Sequence, residues 1–476
     1  MNQKAKEYVE NELIRAEARL DVYTRDLSGL PYPMRSIVAN VEAQMKTFEK
    51  NYDETRWVIM PGLRGVGKTT ALAQTYKELR KRHPANRVLS ISLDNAKNVA
   101  GFSLKDILEG YEQTLGLAYE RQREPYYLLI DEVQIDPNWA GLLKTLYDKS
   151  KYVFIFCTGS SAVSLQTNAD VIRRATFEKL FPMSFGEFQM IKNNIALPVG
   201  LKAHIKQAVY FSDSAKPAFK ILKEMEHEIG RYWGQIDPLE MENYLGAGTF
   251  PFALHFKNSA EVFDAINKLL GRIISMDIAS LSRFDTDTLA NIKRMLFLVA
   301  DADAISLQTL AKLLHMGHVT IATIFDVLEQ AEVLVRAAPY GSNVSKVKKP
   351  SKYLFMSPAI RASLLSIGAG EGTFATRRGR FIEDLAALHF YREFISPGAG
   401  SLAYDAAKGG ADFILQLLNG QEIVIEVGSG EKGTVQVAQS MKQRNIQRGL
   451  VISSGGLRLS EDQNILCIPF SYFLLM

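Results

Sequence analysis

Nine residues near the amino end constrain this chain more than any other part of it. They read Gly62-Leu63-Arg64-Gly65-Val66-Gly67-Lys68-Thr69-Thr70 and lie between the apolar run Trp57 to Met60 and a helical pattern over Thr69 to Lys81. The segment matches G-x-x-x-x-G-K-[ST], with Gly62, Gly67, Lys68 and Thr69 at the defining positions. Glycines lack a Cβ, so backbone N–H groups can converge on phosphate oxygens, and a helix beginning just beyond them points the positive end of its dipole at the anion. Lys68 supplies a point charge for the β and γ phosphates, and the Thr69 hydroxyl is suited to ligate magnesium. The expected nucleotide contacts are Gly62, Gly65, Gly67, Lys68, Thr69 and Thr70, and the expected species is ATP with Mg2+. A loop of this kind works only between a strand and a helix, which commits the first part of the chain to an α/β P-loop sheet.

The apolar run Tyr126 to Ile130 ends in Asp131 and Glu132. A buried strand that closes on paired acids needs a cation to balance them. Asp131 is therefore expected to join Thr69 at magnesium, directly or through water, and Glu132 to act as general base toward the attacking water. The next run ends Cys157-Thr158-Gly159-Ser160-Ser161, where Thr158, Ser160 or Ser161 is either a polar sensor of the γ-phosphate or a loop former. Arg173 and Arg174 follow. Each is either a cation for transition-state charge, reaching a neighbouring subunit's nucleotide in a homo-oligomer, or a surface salt-bridge partner.

Strand-like runs at Trp57 to Met60, Val88 to Leu93, Tyr126 to Ile130 and Tyr152 to Thr158 alternate with helical stretches, the pattern of a parallel sheet covered on both faces. With two polar-amphipathic helices before it, broken at Gly29 to Pro33, this P-loop core spans residues 1–188. A helical pattern over 189–285 reads as a lid. Residues 286–365 follow the order of a winged helix, with helices and then a two-stranded basic segment. Residues 366–476 read as a small α/β domain: a helix over Gly379 to Phe394, strands at Ala411 to Leu418 and Gln421 to Val427, a helix over Thr434 to Asn445 and a strand at Gly449 to Ser453.

Several domains agree with 476 residues at roughly 150 per domain. Composition is that of a globular protein, and the formal charge of +4 is too small over this length to argue for nucleic acid by itself. Cys157 and Cys467 lie far apart without zinc or redox spacing, which predicts buried thiols in a reducing compartment. The N-terminus is charged at helical spacing, and no run approaches the ~18 apolar residues of a membrane helix, so the expectation is a cytoplasmic protein without a membrane partner.

Taken together, GLRGVGKTT, LLIDEVQ, CTGSSAVSL, LFPMSFGEF, YLGAGTFP, ISMDI, LEQAEVLVRAAPY and KPSKYLFMSP give the chain, over nearly its whole length, an order and spacing that resembles a widespread prokaryotic family of AAA-type ATPases. In that family the ATPase core precedes a winged helix and a C-terminal domain like the restriction endonucleases, of PD-(D/E)XK type. The resemblance implies that fold and a nucleotide, and it marks a possible nuclease-like site. Glu383 in RGRFIEDLAALHF resembles the helix acid of such a site, Asp412 in GADFIL the strand acid, and Glu426 in IVIEVGSGEKG the third. Such acids bind magnesium and orient water for phosphodiester attack. The family's lysine position is Gly428 here, so Lys432 swings in from the loop, with Gln436 assisting, or the domain binds without cleaving, or the three acids are plain surface charges.

Lys346, Lys348, Lys349 and Lys352 fall where a wing would meet a phosphate backbone, and Arg377, Arg378 and Arg380 make a second basic cluster. The would-be recognition helix offers only His315, His318, Thr320 and Thr323 to base edges, so any DNA partner is expected to be bound nonspecifically or by shape. Two functions follow: an ATPase that couples turnover to DNA binding or remodelling, or a nucleotide-switched signalling or scaffold ATPase that engages protein partners.

Overall fold

The structure, a computed structural model, describes residues 3–26, 28–52, 55–160, 169–282, 284–302, 305–341, 349–366 and 373–476. It divides into two compact units, Met1–Phe181 and Pro182–Met476. Among the described residues no helix is long and apolar enough to cross a membrane.

The first unit opens with helices α1 (Gln3–Asp21) and α2 (Ser36–Asn51) and continues with β1 (Trp57–Pro61), α3 (Lys68–Arg80), β2 (Val88–Ser92), α4 (Leu93–Asn98) and α5 (Leu104–Leu115). After these come β3 (Tyr126–Asp131), α6 (Trp139–Lys149), β4 (Val153–Gly159) and the short β5 (Thr176–Phe177). The five strands are parallel, in the order β2-β3-β4-β1-β5. Every residue of β1, β3 and β4 is buried, the burial expected of strands covered on both faces. Trp57, Leu128, Ile130, Ile155 and Cys157 form their core with Leu104, Ile107 and Tyr111 of α5 and Val9 of α1. Helix α5 begins at a capping box, in which Ser103 Oγ accepts from the Asp106 N–H at 3.2 Å and the Asp106 carboxylate accepts from the Ser103 N–H at 3.0 Å. Parallel pairing brings the carboxyl ends of β1, β3 and β4 to one edge, with Met60 beside Thr158 and Ile130 beside Cys157.

The second unit starts with α7 (Phe185–Asn193), α8 (Leu201–Phe211), α9 (Ala215–Glu224) and α10 (Glu226–Trp233), followed by α11 (Ser259–Arg272) and a run of α12 (Thr286–Asp301), α13 (Leu307–Leu314) and α14 (His318–Gln330). The antiparallel hairpin β6 (Leu334–Pro339) and β7 (Lys352–Phe355) precedes α15 (Pro358–Ser366) and α16 (Thr373–Phe390). The chain then forms β8 (Gly400–Tyr404), β9 (Phe413–Leu417), β10 (Glu422–Val427), α17 (Val435–Arg444), β11 (Gly449–Ser453), β12 (Arg458–Ser460) and β13 (Ile465–Pro469). Eight strands make one sheet in the order β12-β13-β11-β10-β9-β8-β6-β7.

The partition differs from the sequence reading in where the chain divides. The first unit ends at Phe181, and the stretches read as lid, winged helix and terminal α/β domain belong to one unit. Their physical link is β6, which pairs with β8 through Ala338↔Ala403 and Pro339↔Tyr404 and so joins the hairpin to the terminal sheet. Strands β8, β12 and β13 escaped the sequence reading. The loop residue His315 has φ +52 and closes α13 as a left-handed cap.

Candidate functional site

Strand β1 delivers the chain to Gly62 and α3 takes it up again at Lys68. Between them Gly65 (φ +82) and Gly67 (φ +100) hold left-handed conformations that a side chain would strain. A Cβ at Gly62 would collide with the Leu180 carbonyl oxygen, so glycine is needed there for close packing as well. Lys68 is buried, with Nζ 2.8 Å from the Gly62 carbonyl and 3.2 Å from that of Leu63. Its ammonium therefore lies inside the curve of the loop. Arg35 braces the loop from outside by donating to the Val66 carbonyl at 2.8 Å and to that of Phe181 at 2.9 Å.

Thr69 Oγ1 donates to Asp131 Oδ2 at 2.8 Å, and Thr158 Oγ1 donates to Asp131 Oδ1. One buried carboxylate at the end of β3 thus spans the first turn of α3 and the end of β4. Glu132 follows with φ +55 and ψ +49, a left-handed conformation unusual for a residue with a Cβ, and its N–H donates to Thr158 Oγ1 at 3.4 Å. Gln134, on the 3-10 turn Val133–Ile135, turns back and donates through Nε2 to Glu132 Oε2 and, at 3.0 Å, to Ser160 Oγ. Among the described residues Gln134 Oε1 is buried without a hydrogen-bond partner. Sequence reasoning passed over Gln134; the only signal was a polar side chain two positions beyond the second acid, which becomes meaningful once the 3-10 turn folds it back. Thr70, also on α3, is half-buried.

The loop, Lys68, Thr69, Asp131, Glu132 and Ser160 therefore meet at one edge of the sheet. Left-handed glycines, an inward ammonium and a hydroxyl–carboxylate pair suit a nucleotide triphosphate and a divalent cation. Arg174 is committed elsewhere, with Nε and one terminal nitrogen 3.1 and 3.2 Å from the Asp148 carboxylate and the other 3.4 Å from Asp170. That is the surface ion-pair reading of the residue. Arg173 is exposed, and Ser161 lies outside the described residues.

The acids at 383, 412 and 426 gather in the second unit, though with two lysines among them. Lys352 Nζ, from β7, is 2.5 Å from Glu383 Oε2 and 3.3 Å from Asp412 Oδ1. Lys432 Nζ is 2.8 Å from Glu426 Oε1, and a Cβ at Gly428 would collide with Lys432 Cε. The stem of Lys432 thus fills the space a side chain at 428 would take. Burial, and after it the charge of Asp412, pushes Glu426 up to about 7. Gln436 donates to the Gly410 carbonyl at 2.8 Å and not to an acid. Among the described residues, no group of three or more His, Cys, Asp or Glu side chains is arranged to hold a metal ion.

Of the four lysines assigned to a phosphate backbone, Lys346 and Lys348 lie outside the described residues and Lys349 is exposed. Lys352 corrects the expectation: strand alternation turns its side chain inward to the two acids. The second basic cluster is also spent, with Arg377 on the Asp301 carboxylate, Arg380 on the Asp301 carbonyl and Arg378 Nε 2.8 Å from Glu242. An open cleft of about 990 Å3, bordered by Phe188, Lys192, Asn267 and Phe381, lies in the same unit, and no motif announced it.

Comparison with known proteins agrees with this geometry. Residues 54–189 match the model of an AAA domain, and residues 239–371 match that of a domain of unknown function, DUF8612. Uncharacterized protein MJ1637 of Methanocaldococcus jannaschii is 32% identical over 476 aligned residues, covering 99% of this chain and 94% of that protein. The chain belongs to the family of that protein. Around the P-loop it carries an AAA domain. Solved structures similar in part include the Aeropyrum pernix ORC1 protein in complex with DNA, at 12% identity and TM-score 0.33, covering 70% of this chain and 92% of that one. Another is the Thermotoga maritima RuvB Holliday junction branch migration motor, at 16% identity and TM-score 0.30, covering 66% and 93%. Likeness at this level says nothing of what the present chain does.

Proposed function

We propose that the chain binds ATP with magnesium in the Gly62–Thr69 loop and hydrolyses it with Glu132 as general base. The observation that carries this reading is the arrangement around Asp131, whose two oxygens accept from Thr69 and Thr158 while Glu132 projects from the next residue. Thr69 and Asp131 would hold the magnesium ion, which when bound neutralises charge on the phosphates. Backbone amides of the loop and the first turn of α3 bind the phosphate oxygens, and Lys68 leaves the Gly62 and Leu63 carbonyls for the β and γ phosphates. Glu132 takes a proton from water as its oxygen attacks the γ-phosphorus; the bond to the bridging oxygen breaks and ADP leaves. Ser160, buried and bonded to Gln134, is the hydroxyl that reads the γ-phosphate. Of the two arginines, only the exposed Arg173 is assigned a role at a phosphate. Two variants test the assignment. Lys68→Ala should abolish nucleotide binding, and Glu132→Gln should keep binding and stall turnover; full hydrolysis in the glutamine variant would overturn the base.

For the output of the nucleotide cycle we favour contact with a protein partner, through a second unit of winged-helix and nuclease-like descent, over DNA remodelling. This rests on Lys352, Arg377, Arg378 and Arg380 being committed to contacts inside the chain, which leaves Lys349 as the one uncommitted cation among the described residues of the two clusters. An ATPase rate raised by single- or double-stranded DNA, and no longer raised when Lys348 and Lys349 are reversed to Glu, would return the DNA-coupled reading to first place.

A further inference from the structure

In a nuclease-like fold, acids at the positions of Glu383, Asp412 and Glu426 are implied to hold magnesium. Their contacts here do not fit that ion. Lys352 Nζ bridges the first two, at 2.5 and 3.3 Å. The other oxygen of Asp412 accepts from the Val427 N–H at 3.1 Å, and Glu426 Oε1 is taken by Lys432. The paired oxygens are thus spread over two ammonium groups and a backbone amide; Glu426 Oε2 is buried without a hydrogen-bond partner among the described residues, but no set of three acids converges on a common point there.

What the acids do hold is a strand. Helix α16 presents Glu383 and Asp384 in succession, and they grip the two ends of β7. Glu383 takes the Lys352 ammonium at the start, while Asp384, fully buried, accepts from the Phe355 N–H at the end at 2.9 Å. Arg361 of α15 completes the second grip, 2.5 and 2.9 Å from the two Asp384 oxygens, with a further bond to the Ala300 carbonyl at 2.9 Å. Lys352 also lies 5.0 Å from the centre of the Phe413 ring on β9. These grips add to the short pairing of β6 with β8, which runs through two residue pairs, and to the bond from the Tyr340 N–H to the Tyr404 carbonyl at 2.9 Å.

We infer that Glu383 and Asp412 are a socket for Lys352 and not part of a divalent-cation site, so that β6–β7 and the terminal sheet move as one body. The inference does not depend on the nucleotide reading. It calls for two measurements on the full chain. In the first, thermal unfolding is followed with and without millimolar Mn2+ in a Lys68→Ala background, which removes the phosphate site. The melting temperature should be unmoved by the ion; a rise that Asp412→Asn abolishes would overturn the socket. In the second, Lys352→Met removes the charge at similar length. It should lower the melting temperature by several degrees and raise amide exchange across Lys352–Phe355, with Lys352→Arg recovering most of the loss. A methionine variant as stable and as protected as the parent would also overturn it. Should the methionine variant fail to fold, the manganese measurement on the chain that retains Lys352 still decides.

Discussion

Gln134→Leu tests how the base of the ATPase site is held. Leucine keeps most of the volume of glutamine but cannot donate, so it removes the bonds to Glu132 Oε2 and Ser160 Oγ while filling the same half-buried space. A hydrogen bond to a charged group contributes about 1.5–3 kcal/mol, and partial exposure argues for the lower end. If that energy orients Glu132 only as the water is attacked, a loss of about 1.4 kcal/mol lowers kcat roughly tenfold. Gln134 bonds to neither the loop nor Thr69, and loss of its bond to Ser160 Oγ leaves that hydroxyl in place, so KM and the affinity for a fluorescent ATP analogue should stay within about twofold. Steady-state ATPase assays give kcat and KM, and nucleotide titration gives Kd. In a Glu132→Gln background the leucine change should add little, because its effect passes through the carboxylate. A wild-type kcat, or an equal tenfold loss on top of Glu132→Gln, would refute this role; the ATPase assignment itself would stand as long as Lys68→Ala and Glu132→Gln behaved as expected.

Three further outcomes follow from the geometry. Gly67→Ala should weaken nucleotide binding at least tenfold in the same titration, since φ +100 is closed to a residue with a Cβ and the loop amides would lose their aim. Asp384→Asn should destabilise the chain by about 3–5 kcal/mol in urea unfolding, because it breaks the buried ion pair that Asp384 makes with Arg361 through both carboxylate oxygens. Glu393 gives a pH signature. Burial favours its neutral form, but the charges of Arg392 and Lys202 outweigh this and hold it far below the usual carboxylate range, with Lys202 and Lys206 at 2.8 and 2.6 Å. A depressed folded-state pKa means its stabilisation is complete above the unfolded glutamate pKa of about 4.3 and is lost as pH falls below it. Glu393→Gln should therefore cost stability at neutral pH and flatten the acid limb of a stability-versus-pH curve.

The nucleotide site was legible because its chemistry is local. The loop from Gly62 to Thr69 is contiguous, and Asp131 with Glu132 closes a run of apolar residues whose burial on both faces the sequence already implied. Strand ends on one edge of a parallel sheet then follow from crossover connections, so the loop and the acids could be placed together without knowing any long-range contact. Gln134 needed a turn geometry that residue types alone do not fix.

The terminal region was less legible for the opposite reason. A lysine at the start of a basic stretch carries the same charge whether it faces solvent or a buried acid, and only the partner in space decides. Lys352 was grouped with Lys346, Lys348 and Lys349 by adjacency, yet its nearest charged neighbours are 31 and 60 positions away in sequence. The pairing of β6 with β8 explains why: it carries the hairpin onto a sheet that forms only after residue 400, and strand alternation then fixes which side of β7 meets α16. Charge clusters become evidence for nucleic acid only after each cation has been checked for an internal carboxylate. In this chain Lys352, Arg377 and Arg378 all have one, and that commitment withdraws them from any surface offered to a phosphate backbone.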